Sequence, residues 1–236
     1  MSVISRLAAA LLLLCPSFAA RAATQLTPIL VEFLPGQGAA TVTVTNSGTE
    51  PASYDIDIQA WTVAGGTDVL EPTEDIIASP PEVVVPPGEA QVVRLLLRHP
   101  SAEAERAYRL AITEQPSAAA RARRQVNFAV TYSVPVFAQP KAGAAPGRLD
   151  WRIDRAADGR LLLTGHNIGG HYVHIADLKG VNARGQAVPL KLTGQYPYVL
   201  AGQDQHWAIG AEPDGSLHVT GTAQSRPFDQ TLSMAK

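Results

Sequence analysis

Three histidines in the second half of the chain have side chains that could bind a metal ion. His166, His171 and His174 lie close together in the sequence. His171 and His174 are three residues apart in a predicted strand, where successive side chains point to opposite faces, so these two diverge. The sequence has no HExxH motif, and its only cysteine, Cys15, lies near the amino terminus. The pattern therefore favours surface or packing histidines, and we predict no metal ion and no other cofactor.

Other residue patterns that carry catalytic chemistry are missing or poorly placed. The sequence has no GxSxG motif, and its serines lack a plausible order of histidine and aspartate partners. Glu71, Glu74 and Asp75 cluster in a predicted exposed loop, where a catalytic pair of carboxylates is not indicated. The glycine pairs at 65–66 and 169–170 are predicted turns, because neither follows the strand-then-helix context of a phosphate-binding loop. We therefore predict that the protein is not an enzyme.

The most informative pattern is an alternation of residue types between Gln125 and Phe137. Apolar residues alternate strictly with polar or small ones, which predicts a long strand with one apolar face. Pattern alone leaves two interpretations open, a core strand of the protein's own fold and a strand presented to a partner. The residues of the apolar face are Val126, Phe128, Val130, Tyr132, Val134 and Val136.

Composition narrows the class of protein further. The chain has 236 residues, of which 46% are hydrophobic and 17% charged, as in a folded protein with one large or two small domains. The formal net charge is -2. There is no basic excess to neutralise phosphates, so we predict no nucleic-acid partner. Nineteen glycines and 18 prolines, without a long helical pattern, favour an all-β chain with many turns.

Residues 1–22 have the pattern of a signal peptide for export. Arg6 precedes the short apolar run Leu7–Leu14, and Ala20 and Ala22 form a small-x-small cleavage site. The run is shorter than the roughly 20 residues of a membrane span, and no later segment reads as one, so stable membrane insertion is not predicted. We predict cleavage before Ala23 and a periplasmic location. The only cysteine leaves with this segment, which excludes a disulfide scaffold.

The rest of the chain predicts two all-β units. About seven strands separated by turns precede the flexible segment 141–147, as expected for an immunoglobulin-like sandwich over 23–140, and a second β-sandwich follows over 148–236. The predicted strands of the first unit are Leu26–Glu32, Ala39–Asn46, Ala52–Thr62, Val83–Val85, Gln91–Arg98, Tyr108–Thr113 and Gln125–Phe137. Those of the second are Leu149–Ile153, Leu161–Asn167, Val173–Asn182, Ala187–Lys191, His206–Ile209 and Ser216–Thr222.

Several segments, taken in order, resemble one known family. They are LTPILVEF with VTVTN, IIASPPEVVVPPGEAQVVRL, ERAYRLAITEQP, VNFAVTYSVPVFAQP, LLLTGHNIGGHYVHIADL and YVLAGQDQHW. Their order and spacing, from residue 23 to residue 207, are similar to those of PapD-like periplasmic chaperones of chaperone–usher pilus assembly. Residues 105–110 and the carboxyl-terminal pieces resemble the archaic, Csu-like branch of that family.

The resemblance implies a mechanism and partners. Pilin subunits of such systems are immunoglobulin folds that lack their last strand, and the chaperone supplies its seventh strand to complete them. Main-chain hydrogen bonds pair the open edge of the subunit, and alternate side chains fill its apolar groove. The resemblance assigns this role to Val126, Phe128, Val130 and Tyr132. It also implies that the loaded subunit passes to an outer-membrane usher.

The resemblance leaves the anchor for the subunit's terminal carboxylate in question. In the conventional branch, one basic residue on the first strand and one on the seventh bind this group. The corresponding positions here are Leu30 and Pro135, or Ser133 in another register, and none is basic. Arg94 lies among apolar residues and should therefore be paired, and a carboxylate is its best bidentate partner. We predict Arg94 as the anchor, with Arg109 as the weaker candidate.

Alternatives to this interpretation remain open at the level of sequence. Arg94 could instead face solvent or pair with Glu32 or Glu114 within the chain. The protein could be a free-standing adhesion or carbohydrate-binding sandwich that uses its exposed tryptophans, for which the candidates are Trp61, Trp151 and Trp207. If it is a chaperone, an exposed apolar strand favours aggregation, so a self-capping dimer of the unloaded protein is plausible.

Overall fold

The computed structural model describes residues 23–101, 103–116 and 129–233, and every regular element in those ranges is a β-strand. Strands of the first half are β1 Thr24–Thr27, β2 Val31–Phe33, β3 Ala39–Asn46, β4 Ala52–Ala64, β5 Thr67–Pro72, β6 Ile76–Ser79, β7 Glu82–Val85, β8 Ala90–Leu97, β9 Arg106–Gln115 and β10 Val130–Ala138. Strands of the second half are β11 Leu149–Arg155, β12 Leu161–Asn167, β13 Val173–Asn182, β14 Ala187–Val188, β15 Leu190–Leu192, β16 Tyr198–Val199, β17 Asp204–Ile209, β18 Ser216–Ala223 and β19 Arg226–Ser233.

The first ten strands form a sandwich of two sheets. One sheet has the order β1-β3-β8-β6, and the other has the order β2-β10-β9-β4-β5 with β7 also on β4. Alternation decides which side chains enter the core, as in β8, where Val93 and Leu95 are fully buried and Arg94 between them is exposed. From the other sheet, Leu110 and Ile112 of β9 meet them in the same core.

The last nine strands form a second sandwich with its own core. Its sheets have the orders β11-β12-β17-β15 and β14-β13-β18-β19, and β16 pairs with β13. Leu163, Trp207, Leu217 and Val219 are buried between these sheets. The prediction of two β-sandwiches is therefore confirmed.

The predicted first strand, Leu26–Glu32, is wrong in one respect, because the structure divides it into two strands of different sheets. β1 pairs antiparallel with β3, whereas β2 crosses to the other sheet and pairs parallel with β10. Pro28 lies between them and cannot donate a ladder hydrogen bond, so a single continuous strand is disfavoured there. The Thr27–Pro28 and Ser79–Pro80 peptide bonds are cis.

Each sandwich contains a buried asparagine that joins loops at its end. In the first, Asn46 is 1% exposed, and its amide donates to the carbonyl oxygens of Glu50 and Val85. In the second, Asn167 is fully buried and donates to the carbonyl oxygens of His171 and Val199. The Asn167 side-chain oxygen also accepts from two backbone N–H groups, so the side-chain amide donates two hydrogen bonds and accepts two.

We expect Asn167→Ala to lower the free energy of unfolding by about 2–4 kcal/mol, because it leaves several buried backbone groups without partners. Chemical denaturation measures this loss. Asn182→Ala is the matched control, since the Asn182 side chain bonds only Arg184 and Gln186 in an exposed turn. Equal losses for the two variants would contradict the assignment of Asn167 as a buried junction.

The two sandwiches pack against each other through a third apolar cluster. Trp61 and Phe137 of the first sandwich meet Tyr172 and Leu200 of the second, and all four are buried. The rings of Phe137 and Tyr172 stack, with centroids 3.6 Å apart and planes inclined by 13°. These contacts place the second sandwich over one end of the sheet that contains β10.

Polar contacts fix the same interface on both sides. The buried Glu105 carboxylate accepts from the Tyr172 N–H at 2.7 Å and lies 2.6 Å from His171 Nδ1. Burial raises the pKa of Glu105, and these two contacts oppose the shift. On the other side, Thr193 donates to the carbonyl oxygen of Gly66 at 2.9 Å. A Cβ on Gly66, whose φ is +75°, would lie 2.3 Å from the ring of His206, so only glycine fits there.

Candidate functional site

The outer edge of β10 is paired along only part of its length. On one side β10 pairs with β9 along the whole of Val130–Ala138, whereas on the other side β2 pairs only with Val136, Phe137 and Ala138. Within the described part of the chain, the edge from Val130 to Pro135 therefore has no partner strand. Such an edge exposes unpaired N–H and C=O groups that can receive another strand.

The apolar face of β10 passes from the core of the first sandwich to solvent. Val136 and Val134 are 0% and 3% exposed, Tyr132 is half-buried, and Val130 is 47% exposed. Val134 and Val136 thus belong to the protein's own core, so for this part of the strand the interpretation as a core strand holds. Val130 is an exposed apolar residue at the open edge. Val126 and Phe128, also predicted to bind a partner, lie outside the described residues.

The opposite face of β10 looks toward the second sandwich. Phe137 packs in the interface between the sandwiches, and Pro135 lies two residues before it on the same face. Pro135 is directly opposite Arg109 of β9, which in turn is opposite Gln59 of β4. Arg109 therefore lies on the same face, one strand away from the position at which the resemblance expects a basic residue.

Arg109 is enclosed by aromatic rings from both sandwiches. It is only 2% exposed, and its guanidinium carbon lies 4.0 Å from the ring centroid of Trp61 and 3.3 Å from that of Tyr196. Tyr198 is more distant, with its centroid at 5.6 Å. A cation over aromatic faces is attracted by their negative π-clouds. We call Arg109, Trp61, Tyr196 and Tyr198 the arginine box.

Two nitrogens of the guanidinium in the arginine box are without hydrogen-bond partners among the described residues. Nε and Nη2 of Arg109 are buried and bond no group in the described part of the chain. Burial lowers the pKa of Arg109 to about 10, although Tyr196, Tyr198 and Asp68 nearby oppose the shift. The side chain is thus still charged at neutral pH. A buried charge without hydrogen-bonded partners is costly, so this group is a strong candidate to receive an anion.

Asp68 organises the arginine box from the side. One of its carboxylate oxygens accepts from the Trp61 indole N–H at 2.7 Å, and the other accepts from the backbone N–H of Gln195 at 2.6 Å. Trp61 belongs to the first sandwich and Gln195 directly precedes Tyr196 of the second. Asp68 therefore holds both halves of the box in place and does not itself hydrogen-bond Arg109.

Arg94, the first candidate for the anchor, lies elsewhere. It is on the outward face of β8, opposite Thr41 of β3 and Ser79 of β6, in the sheet that does not contain β10. The alternative of an ion pair within the chain is not formed, since no described residue, including Glu32 and Glu114, makes a salt bridge with Arg94, and the side chain points outward from its strand. The reason is the period of the strand, because its apolar sequence neighbours point inward.

The three histidines do not converge. His166 pairs with Asp204 at 2.6 Å, His171 pairs with Glu105, and the His174 ring packs against Tyr198 with centroids 4.8 Å apart. His171 precedes β13 rather than lying within it, so the predicted strand geometry is wrong at this residue. Among the described residues, no group of three histidine, aspartate, glutamate or cysteine side chains could hold a metal ion.

The tryptophans considered for carbohydrate binding are largely unavailable. Trp61 is 1% and Trp207 is 4% exposed. Trp151 is half-buried and stacks on Phe228, with ring centroids 5.3 Å apart. An exposed aromatic platform is therefore not formed by Trp61 or Trp207.

A comparison with protein-family models identifies the family. The model described as pili and flagellar-assembly chaperone, PapD N-terminal domain, matches residues 23–144, which is more than half of the chain. The chain belongs to this family, and it is therefore a pilus-assembly chaperone rather than a member of an enzyme family. The resemblance predicted from the sequence is confirmed.

Solved structures show the same fold. A chain of the CsuC–CsuE chaperone–tip adhesion subunit pre-assembly complex, from archaic Csu pili of Acinetobacter baumannii, is 21% identical with a TM-score of 0.70, over 91% of this chain and 100% of that chain. A chain of the Salmonella enterica SafA pilin–SafB chaperone complex is 17% identical with a TM-score of 0.63, over 89% and 96%. The YadV chaperone is 14% identical with a TM-score of 0.63, over 90% and 100%.

No curated protein sequence matches the chain significantly. In residues 23–101, 103–116 and 129–233, no helix is both long and apolar enough to cross a membrane.

Proposed function

We propose that this protein is a periplasmic chaperone that completes pilin subunits with its strand β10 and delivers them to an outer-membrane usher. The observation that carries the proposal is the open edge of β10 from Val130 to Pro135. In this proposal residues 1–22 are a signal peptide cleaved before Ala23. Residues 23–140 and 148–236 are the two domains, joined by the linker 141–147.

The open edge suits a strand that is added from a subunit. Main-chain groups of β10 pair with the subunit, and side chains on its exposed apolar face enter the subunit's groove. Val130 begins this contact at the surface of the sandwich, with Tyr132 half-buried beside it. Val126 and Phe128 extend the same alternation and complete the proposed contact. Two of the similar structures are described as complexes of a chaperone with a pilin or tip adhesion subunit, which supports this mode of binding.

The arginine box is the proposed anchor for the subunit's terminal carboxylate. A strand added along Val130–Pro135 must end where β2 begins its own pairing, at Val136. Pro135, at that end, lies opposite Arg109. A terminal carboxylate there can accept from the unpartnered Nε and Nη2 of the guanidinium, in the bidentate geometry that arginine favours. Arg94, on the outward face of the other sheet, does not support this role.

The proposal is tested by capture of a subunit in the periplasm. We expect a tagged mature chain, co-expressed with Csu-type pilin subunits that lack their donor strand, to recover one of them as a soluble 1:1 complex. Phe128→Asp is expected to abolish recovery, because a charge in the apolar groove prevents strand addition. Recovery that Phe128→Asp leaves unchanged would contradict strand donation, and failure to recover any subunit would contradict the chaperone proposal itself.

The same purification tests the state of the unloaded protein. An open edge with an exposed valine invites pairing with a second copy, so we propose that unloaded chains cap one another as dimers. Size-exclusion chromatography with light scattering distinguishes dimer from monomer. A strictly monomeric unloaded chain at concentrations of about 100 μM, far above an ordinary micromolar Kd, would contradict this part of the proposal.

A further inference from the structure

Tyr196 is the aromatic ring that lies nearest to the Arg109 guanidinium. Its ring centroid lies 3.3 Å from the guanidinium carbon, nearer than that of Trp61 at 4.0 Å. With Arg109 only 2% exposed and its Nε and Nη2 buried, no terminal carboxylate can reach these nitrogens while every surrounding group stays in place. A group in contact with the guanidinium must therefore move before the proposed anchor can work.

We propose that Tyr196 is a displaceable cover of the arginine box, and that the subunit's terminal carboxylate binds Arg109 only after the Tyr196 ring has moved aside. This inference rests on the proposed function. It assigns Tyr196 as a positioning residue that controls access of the carboxylate to Arg109.

The contacts of Trp61 make it the fixed side of the box. Trp61 is 1% exposed, its indole N–H donates to Asp68 at 2.7 Å, and its ring is tilted against Phe137 with centroids 6.1 Å apart. It belongs to β4, an interior strand that pairs with β9 on one side and with β5 and β7 on the other. Moving this ring would break a charge-assisted hydrogen bond and open the interface between the sandwiches, so Trp61 stays in place.

The contacts of Tyr196 leave its side chain free to rotate on a fixed backbone. It lies between β15 and β16, where its carbonyl oxygen accepts from the N–H of Tyr198 and from the side chain of Gln205, and the preceding Gln195 N–H is held by Asp68. The side chain is half-buried, and its hydroxyl makes one long hydrogen bond of 3.3 Å, to Ser133 Oγ of β10. Rotation of the ring therefore breaks this long hydrogen bond and the ring's contacts with Arg109 and Trp61, and it leaves the backbone hydrogen bonds of the loop intact.

The balance of contacts favours displacement by a carboxylate and disfavours displacement by a neutral group. A cation–π contact is weaker than a bidentate, charge-assisted pair between arginine and a carboxylate. A neutral chain end lacks that advantage and leaves Tyr196 in place. The Tyr196 hydroxyl bonds Ser133, and Ser133 lies on β10, the strand that pairs with the subunit in this proposal. Pairing of the subunit therefore takes place directly beside the hydrogen bond that keeps the Tyr196 ring over Arg109.

The cover has a kinetic consequence. When only a fraction of molecules has the box uncovered, the apparent rate and affinity of binding are reduced by that fraction. We expect Tyr196→Ala to raise the association rate of a subunit with a free carboxyl terminus by about 3- to 10-fold, the range set by the loss of one cation–π contact. Tyr196→Phe keeps the ring and loses only the bond to Ser133, so a smaller rise of about twofold is expected.

The experiment uses the captured subunit in two forms, one with its free carboxylate and one with a carboxamide made by intein cleavage. Surface plasmon resonance measures association of both forms with the full mature chain and its Tyr196 variants. The expected rate increase is confined to the carboxylate form. Gln195→Ala is the control, because Gln195 is an exposed neighbour of Tyr196 in the same loop and is held through its backbone N–H, which the substitution keeps.

A direct probe reports movement of the ring itself. In protein labelled with 3-fluorotyrosine, the ¹⁹F resonance that is absent from Tyr196→Phe belongs to Tyr196. It is expected to shift when the carboxylate form binds and to stay unchanged with the carboxamide form. The resonance of Tyr54, in the core of the first sandwich, is expected to stay unchanged with both.

The outcomes separate this inference from the proposed function. If the subunit binds but the Tyr196 resonance and rates respond equally to both forms, Tyr196 is not a cover and the chaperone proposal stands. If no subunit binds to any variant, the proposed function fails and this inference fails with it.

Discussion

Arg109→Gln is expected to weaken binding of the subunit by at least about 30-fold while leaving the chaperone folded and no less stable. The loss follows from removing one partner of a desolvated charge pair at an interface. The unchanged stability follows from the unbound structure, where Nε and Nη2 of Arg109 are buried without partners. Glutamine removes that buried charge, which offsets the lost cation–π contacts with Trp61 and Tyr196. Isothermal titration and chemical denaturation measure the two quantities.

Two control variants make this expectation specific. Arg109→Lys keeps the charge but lacks the planar fork of donors, so partial binding is expected. Arg94→Gln changes an exposed side chain on the other sheet and is expected to leave binding unchanged. Binding that survives Arg109→Gln but is lost in Arg94→Gln would reverse the assignment and restore the anchor first predicted from the sequence.

The outward position of Arg94 shows what a local sequence pattern can decide. Arg94 has apolar neighbours along the chain, but Val93 and Leu95 point into the core and Arg94 points away from it. The same alternation, applied to YRLAIT, places Arg109 on the face opposite Tyr108 and Leu110. The sequence alone could thus have shown that both arginine side chains point away from the core of the first sandwich. It could not show that only the face of Arg109 is covered by a second sandwich.

The arginine box itself could not be predicted, because its members are far apart in the chain. Trp61 and Arg109 come from neighbouring strands of one sheet, whereas Tyr196 and Tyr198 come from a loop and a short strand of the other sandwich. Only the docking of the two sandwiches brings these rings together. A tyrosine pair in QYPYVL carries no pattern that distinguishes an interdomain contact from ordinary packing.

Only part of the open edge of β10 could be predicted from the sequence. Strict alternation predicted the strand and its apolar face, including the exposed Val130. The pairing of β10 with the short strand β2 could not be predicted. It is a parallel pairing between residues 31–33 and 136–138, and it depends on the chain crossing between sheets after Pro28. Where that pairing stops decides how much of β10 is free, and this is a property of the tertiary fold.

Val130→Lys is expected to reduce capture of the subunit by at least about tenfold without destabilising the chaperone. Val130 is 47% exposed at the open edge, so its native environment tolerates a charge. Glu114 lies directly opposite on β9 and can pair with the new lysine. In the complex, the same side chain would enter an apolar groove, where an unpaired ammonium group is costly. Quantitative pull-down and thermal unfolding of the free chaperone test the two halves of this expectation.

Two neighbouring positions on β10 serve as matched controls for Val130→Lys. Thr131→Lys places the same charge one residue along the edge but on the opposite face, so capture is expected to stay within about twofold of wild type. Val134→Lys changes a residue that is 3% exposed, so it is expected to destabilise the chaperone itself by several kcal/mol, about the cost of burying an unpaired charge in a core. If Thr131→Lys abolished capture and Val130→Lys did not, the subunit would bind the other face of β10. The apolar alternation would then serve only the protein's own core.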